Sequence, residues 1–467
     1  MQFDINIKNL GKISQADIKI RPFTVIAGKN SSGKSFITKS LYSLFNAINK
    51  DHISNSAYKN LDTLNFFVEA MSTLNTRSSK DERVLLYGLS QEIKSLNIEI
   101  NKAFGINTLS DQLLITHQLR EPITNVEVIY KKLFKIMSKK GKFVTLIRYF
   151  DRFQNALNEL IQLTESPIDC ISSGITEHIT QDLKENFQVS SLAELKNFHF
   201  PDKKSIDFDL GALGKVKITN ENLNFTLDKK SIDETQKLHN VIYLESPVYW
   251  KMSEALKEVQ TIKSRSGRKE TILTGVPKHF YDLRELITTK TTAPSIELYQ
   301  RLNSAIQGEI TISSSGALNY TEKGSETEIS LHNTALGVTN LGIISLLLKK
   351  GVLSKGSFLF IDEPEVHLHP SWQKTMVETL FELSNNGVNV VIASHSIDMM
   401  KCVENIMANL PGNIVNEHFG INQLDSNGAS VKEPTPPIRK IAAIKADLGE
   451  SFNDMVMEGS FNWSTEE

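Results

Sequence analysis

Gly28-Lys29-Asn30-Ser31-Ser32-Gly33-Lys34-Ser35 follows the apolar stretch Phe23-Thr24-Val25-Ile26-Ala27 and precedes the helix-like run Phe36-Ile37-Thr38-Lys39-Ser40-Leu41-Tyr42. This is the GxxxxGK[ST] pattern in its strand, loop and helix context, a cradle for the phosphates of a nucleotide. A triphosphate carries several negative charges, and a helix start offers unpaired N–H groups and the positive end of the helix dipole. Gly28 and Gly33 let the backbone wrap closely, so that the N–H groups of Asn30, Ser31, Ser32 and Phe36 can point inward as an anion nest. Lys34 then reaches the β- and γ-phosphates, and the Ser35 hydroxyl helps to hold Mg²⁺.

A second motif lies far along the chain. Phe358-Leu359-Phe360-Ile361 is a buried-strand pattern that ends on two carboxylates, Asp362 and Glu363. Mg²⁺ needs a hard anionic oxygen, which Asp362 supplies directly or through water. Glu363, one step on, is placed to polarise the water that attacks the γ-phosphate. His395 follows a further apolar strand, Val390-Val391-Ile392-Ala393-Ser394. Neighbours on one strand point to opposite faces, so Ser394 and His395 do not make a nucleophile–base pair, and His395 fits a γ-phosphate sensor better.

The elements that position these groups follow from periodicity. Phe3/Ile5/Ile7 and Ala16/Ile18/Ile20 alternate around Asn9-Leu10-Gly11-Lys12, predicting an antiparallel β-hairpin that feeds the phosphate-loop strand. Val241 to Leu244, Glu309 to Ile312 and Glu328 to Leu331 read as further strands, and Leu341 to Lys350 as a helix. Continuous apolar strands separated by helices indicate a mostly parallel sheet covered on both faces, an α/β fold. Leu89, Ile93, Leu96 and Ile100 recur at helical spacing, and the expected organisation is residues 1–45 as an N-terminal lobe with the phosphate loop, 46–236 as a mainly helical insertion closed by short strands, and 237–467 as the C-terminal lobe. Pro434, Pro436 and Pro437 mark a turn before a terminal helix starting near Ile438.

Bulk properties set limits. The 467 residues are 40% hydrophobic and 23% charged, an ordinary globular composition with room for two or three packed units. Lys plus Arg at 52 nearly balances Asp plus Glu at 54, so nucleic-acid binding would have to come from local patches. Cys170 and Cys402 have no metal-ligand spacing and point to a reducing compartment. With no secretion signal and no apolar stretch near the ~20 residues that span a bilayer, the chain reads as cytoplasmic, with no membrane partner.

Taken together, Gly28 to Ser35, Phe358 to Pro370 and Val390 to Ser396 resemble the ABC-type P-loop ATPases of the SMC, RecF and OLD branch. Asp362-Glu363-Pro364-Glu365-Val366-His367-Leu368-His369-Pro370 is especially similar to OLD-related ATPases of bacterial anti-phage systems such as Septu and PARIS. The resemblance covers residues 1 to about 45 and about 236 to 400, and implies ATP and Mg²⁺ as ligands, with a head-to-tail homo-dimer, or multiples of it, sandwiching ATP between one phosphate loop and a partner's signature segment. Asn333 to Asn340 matches that segment, with Gly337 offering backbone donors, although Leu336 stands where the family has Ser. The glutamine that the family carries after the Val241 strand is absent, the chain reading Glu245-Ser246-Pro247.

Only about 65 residues follow Met400, too few for the Toprim nuclease domain that OLD-type proteins append, at roughly 100 residues per unit. The resemblance therefore leads us to expect an ATPase that senses or regulates within a defence system, with a separate nuclease or toxin as effector. The alternative is a RecF- or SMC-like DNA-binding ATPase of DNA repair. An importer or exporter subunit is disfavoured by the missing glutamine and the large insertion. Lys131, Lys132, Lys135, Lys139, Lys140, Lys142, Arg148 and Arg152, interleaved with Phe134, Phe143, Tyr149 and Phe150, could bind DNA or RNA, or form the solvated face of amphipathic helices. Lys263, Arg265, Arg268 and Lys269 form a second basic stretch.

Overall fold

The computed structural model describes residues 1–74, 78–105, 108–140, 143–199, 205–227, 234–251, 273–289, 296–313 and 317–463. They divide into two compact units, Met1–Asn49 with Ile179–Glu467, and Lys50–His178. The basic stretch at Lys263 to Lys269 lies outside the described residues, as does Lys142.

The first unit is built on a six-stranded sheet in the order β14-β13-β3-β12-β11-β7. Its members are β3 (Phe23–Ala27), β7 (Val241–Leu244), β11 (Phe358–Asp362), β12 (Asn389–Ser394), β13 (Phe419–Leu424) and the short β14 (Ser430–Val431). All neighbours run parallel except β14, which pairs antiparallel to β13. Every residue of β3, β11 and β12 is buried, as their unbroken apolar runs require, because a strand covered on both faces has no solvent side on which to alternate. Helix α1 (Lys34–Ile48) buries Ile37, Leu41, Leu44 and Phe45, and the Phe45 ring stands edge-on to Phe358 at 5.0 Å and 87°. Each such side chain taken from water contributes about 1.5–3 kcal/mol.

The expected hairpin forms as β1 (Phe3–Leu10) and β2 (Ile13–Ile20), joined in register from Phe3↔Ile20 to Leu10↔Ile13. Its free edge does not stay free. β4 (Ile206–Asp209) pairs with β1, and β5 (Lys215–Thr219) and β6 (Asn222–Thr226) extend the same antiparallel sheet. The insertion expected over 46–236 is accordingly narrower: the separate helical unit is Lys50–His178, and the strands after it belong to the first unit. The physical reason is the open edge of β1, whose unpaired N–H and C=O groups β4 satisfies. A third sheet, β10 (Glu328–Ser330), β9 (Leu318–Glu322) and β8 (Gly308–Ile312), is also antiparallel.

The second unit is made of helices α2 (His52–Leu74), α3 (Lys80–Phe104), α4 (Leu109–Ile115), α5 (Arg120–Met137), α6 (Phe143–Glu165) and the first half of α7 (Pro167–Phe187). Leu89, Ile93, Leu96 and Ile100 form the buried face of α3, and Ser79 and Glu82 close its start as a reciprocal capping box. Tyr130 and Phe153 stack at 4.4 Å and 15°, and Phe67 packs on Phe150 and Phe153.

β13 has no apolar signature, because Asn422 and Gln423 sit in it, both buried. Asn422 is tolerated because it bonds the hairpin backbone: its Oδ1 accepts from the Lys19 N–H at 2.8 Å, and its Nδ2 donates to the Lys19 and Val25 carbonyls. Asn422→Leu strips these partners from the buried Val25 carbonyl and from part-buried Lys19 backbone groups, a buried loss costing about 1–3 kcal/mol. The urea unfolding midpoint of this variant is expected to fall clearly below the parent's, and an unchanged midpoint would show that the amide does not tie β13 to the hairpin.

Candidate functional site

Parallel register brings the distant motifs to one sheet edge. Ala27 at the end of β3 faces Ser394 of β12, and Ala393 of β12 faces Asp362 at the end of β11. The chain leaves β3 into the phosphate loop, where Ser31 and Gly33 both adopt left-handed backbone (φ +61° and +96°). At Gly33 that conformation would strain any side chain, and an Ile13 carbon 3.1 Å from where a Cβ would stand would have to give way as well. Lys34 opens α1, is 4% exposed, and donates to the carbonyls of Gly28 at 2.8 Å and Lys29 at 3.1 Å. Burial lowers its ammonium pKa, while Glu363, Asp362 and Glu365 pull it back up. Lys34 and Asp362 therefore lie within each other's field.

A cavity of about 640 Å³ is lined by Asn30, Ser31, Ser32, Gly33, Lys34, Ser35 and Phe36 on one side and reaches Glu363 on another. Sequence-predicted residues at positions 30–36 and 363 thus share one space. Buried polar atoms mark what it suits. Asp362 Oδ1 and Ser32 Oγ are buried with no hydrogen-bond partner. The other Asp362 oxygen accepts from the Tyr243 hydroxyl at 3.3 Å, and that hydroxyl also lies 3.3 Å from Thr38 Oγ1. Burial pushes the Asp362 carboxyl up to about 6, with Glu245 and Glu363 adding to the rise and the nearby Ser35 hydroxyl opposing it. An unpaired carboxylate oxygen beside a hydroxyl is a hard-oxygen donor set that fits Mg²⁺.

Glu363 also has left-handed backbone (φ +51°), and its N–H donates to the Ala393 carbonyl at 2.9 Å. The turn leaves its carboxylate partly exposed, 3.6 Å from His395 Nδ1. Glu365 fixes the histidine: its Oε1 accepts from the His395 N–H and the Ser394 hydroxyl, both at 2.9 Å, and lies 3.3 Å from His395 Nδ1. Ser394 is therefore bonded to a carboxylate and not to the imidazole. Glu365 sat within a motif already quoted, but its anchoring role had no local signal.

Where a glutamine was expected, Glu245 leaves the end of β7, which neighbours β11. Lys39 Nζ lies 3.3 Å from its Oε1 and His279 Nε2 3.0 Å from its Oε2. Burial would raise the Glu245 carboxyl, but His279 and Lys39 outweigh it and hold it at about 2. His279 belongs to α8 (Lys278–Thr289) and is fully buried, which lowers its pKa. Neither Lys39 nor His279 was singled out by sequence, since no spacing links them to the motifs.

Gly337 stands apart from this cavity's lining residues. It lies in the first turn of α9 (Leu336–Lys349), where a Cβ would come 2.8 Å from the His367 carbonyl oxygen and 3.2 Å from the Trp372 ring. Close packing within the chain thus accounts for a glycine at this position. In the helical unit, the aromatics of the basic stretch pack on one another: Tyr130 and Phe150 are core residues, Phe134 lies against both, and Tyr149 stacks on Phe66. Lys131 pairs with Glu127 and Lys140 with the buried Glu82. Tyr130 and Phe150 are thus part of a core, whereas Phe134 and Tyr149 stay partly exposed at its margin. Among the described residues, no helix is long and apolar enough to cross a membrane.

The chain is 46% identical over 44 residues to the Old nuclease of Escherichia phage P2, a match that covers 9% of this chain and 8% of that protein. The crystal structure of an Smc head bound to the C-winged helix domain of ScpA overlaps 92% of this chain and 95% of its own at 10% identity, with a TM-score of 0.35. The Smc head domain with a coiled coil and joint from Pyrococcus yayanosii overlaps 96% and 99% at 12% identity, with a TM-score of 0.34. The family described as AAA ATPase domain matches residues 1–400, which include the phosphate loop, both carboxylates and His395. The chain belongs to that AAA ATPase domain family.

Proposed function

We propose that the protein binds and hydrolyses Mg·ATP, and that its nucleotide state switches a separate effector in bacterial anti-phage defence. The observation that carries the first part is the single cavity joining the phosphate loop to Glu363, together with an unpartnered oxygen on Asp362, the neighbour of Glu363 in the chain and of Ser35 in space. Lys34 supplies the buried cation for the β- and γ-phosphates, and the loop N–H groups of residues 30–36 supply the anion nest. Ser35 and Asp362 would hold Mg²⁺, which would supply positive charge against the phosphate oxygens. Glu363 takes a proton from the attacking water as its oxygen bonds to the γ-phosphorus and the bond to the β,γ-bridging oxygen breaks, releasing ADP. His395, held by Glu365, stands beside that carboxylate to orient the water and sense the γ-phosphate.

The defence role draws its support from the Asp362 to Pro370 segment and the short match to the phage nuclease. A head-to-tail dimer completed by the Gly337 segment is part of the same proposal. If it holds, Lys34→Ala removes protection from phage in cells carrying the gene with its neighbours, and plating efficiency unchanged by that variant would reject the defence role.

Glu363→Gln is expected to keep ATP binding by calorimetry while lowering the hydrolysis rate by about 10²- to 10⁴-fold. Parent-like turnover would remove Glu363 from the chemistry. Asp362 gives an independent test through pH. Its carboxyl is held at about 6 against an ordinary 3.8, so folding favours the protonated form. The stability this lends is full below about pH 4 and is lost as pH rises through about 6, a swing on the order of 3 kcal/mol. Without Mg²⁺ and nucleotide, Asp362→Asn is expected to melt above the parent at about pH 8 and level with it near pH 4. Identical melting at both would show that the site does not strain this carboxylate.

A further inference from the structure

The segment Leu195–His199 is laid against the β1–β2 turn by backbone bonds. Gly11 N–H donates to the Leu195 carbonyl at 2.8 Å, Asn197 N–H to Asn9 at 2.9 Å and Phe198 N–H to Gly11 at 2.9 Å. His199 N–H is held in turn by Asn197 Oδ1 at 2.9 Å. The result is that Phe198 and His199 line the same cavity as the phosphate loop, with Lys12 of the turn. Phe198 is 59% exposed, yet its ring is not loose: it meets Phe36 edge-on at 5.7 Å and 79°, and Phe36 packs on Phe187 at 5.3 Å. A large ring left open to solvent, backed by a second ring and fastened through its own backbone, is a surface waiting for a flat apolar partner.

Resting on the nucleotide reading of the phosphate loop, we propose that Phe198, with His199 beside it, is the stacking platform for the base of the bound nucleoside triphosphate. Three features carry this. The cavity, at about 640 Å³, lies within the roughly 300–1,000 Å³ range of small-ligand sites, and its polar side is the loop that suits phosphates. Phe36 follows the phosphate-binding Ser35 directly and is the ring against which Phe198 stands, so phosphates and platform are joined by one residue. Among the residues lining this cavity, Phe198 is the large hydrophobic side chain most open to solvent. Stacking draws on the π-face that every base has, so the platform should admit adenine and guanine alike.

The test compares Mg·ATP, Mg·GTP and Mg·tripolyphosphate binding to the full chain by calorimetry. The parent is expected to bind ATP and GTP similarly and both more tightly than tripolyphosphate. Phe198→Ala should weaken ATP binding roughly tenfold, within about 5- to 100-fold, and leave tripolyphosphate affinity unchanged, whereas Phe198→Tyr should restore the ATP affinity. Parent-like ATP affinity in Phe198→Ala overturns the platform and leaves the phosphate loop's role standing. An equal loss for ATP and tripolyphosphate also overturns it, since the ring would then be supporting the loop and not the base. A parent that binds none of the three ligands would instead sink the nucleotide reading itself.

Discussion

A carboxylate with one oxygen buried and unpartnered is an unstable thing to build, and the first unit builds one at Asp362. Burial alone raises its pKa, and Glu245 and Glu363 raise it further. Three acidic side chains at neighbouring strand ends repel each other, and the surroundings answer with cations: Lys34 under the loop and Lys39 on Glu245. A further cation would relieve what repulsion remains. The rest of the first unit can be read as what is needed to hold these charges at one edge: parallel strands whose register ends together, and a glycine-bearing loop that wraps back over Lys34.

Much of this was legible in the residues themselves. The phosphate loop announces itself because phosphate binding demands glycine, lysine and a hydroxyl at fixed spacing, and β11 and β12 because strands buried on both faces must be apolar throughout. The hairpin showed through alternation. β13 escaped notice because its buried Asn422 reads as polar, and its compatibility with the core depends on carbonyls of Lys19 and Val25, some four hundred residues earlier in the chain. Residues 205–210 and 223–227, which hold β4 and β6, read as short strands closing the insertion, and β5 gave no separate signal; their place with β1 is hidden because edges leave no trace in local pattern.

The site divides in the same way. Residues 28–36, 362, 363 and 395 sit in motifs, and chain folding brings the phosphate loop and the two carboxylates together. Their supports do not. Tyr243 looks like any strand residue, Glu365 owes its place to a backbone N–H thirty residues away, and the pair of Lys39 and His279 on Glu245 arises from three separate elements. Interleaved lysines and aromatics in the helical unit illustrate the opposite hazard. Their spacing fits either a nucleic-acid face or the solvated side of amphipathic helices, and helical periodicity sends Phe150 inward, where hydrophobic burial claims it.

The contact between Gly337 and the His367 carbonyl has a mechanical side. The beginning of α9 lies so close to the bend that follows the two carboxylates that no side chain fits between them, which favours their moving together. A rearrangement of that bend when the γ-phosphate departs would be handed on to the helix start as a rigid push. In the proposed dimer, what one copy displays to its neighbour would then keep time with the chemistry in its own pocket.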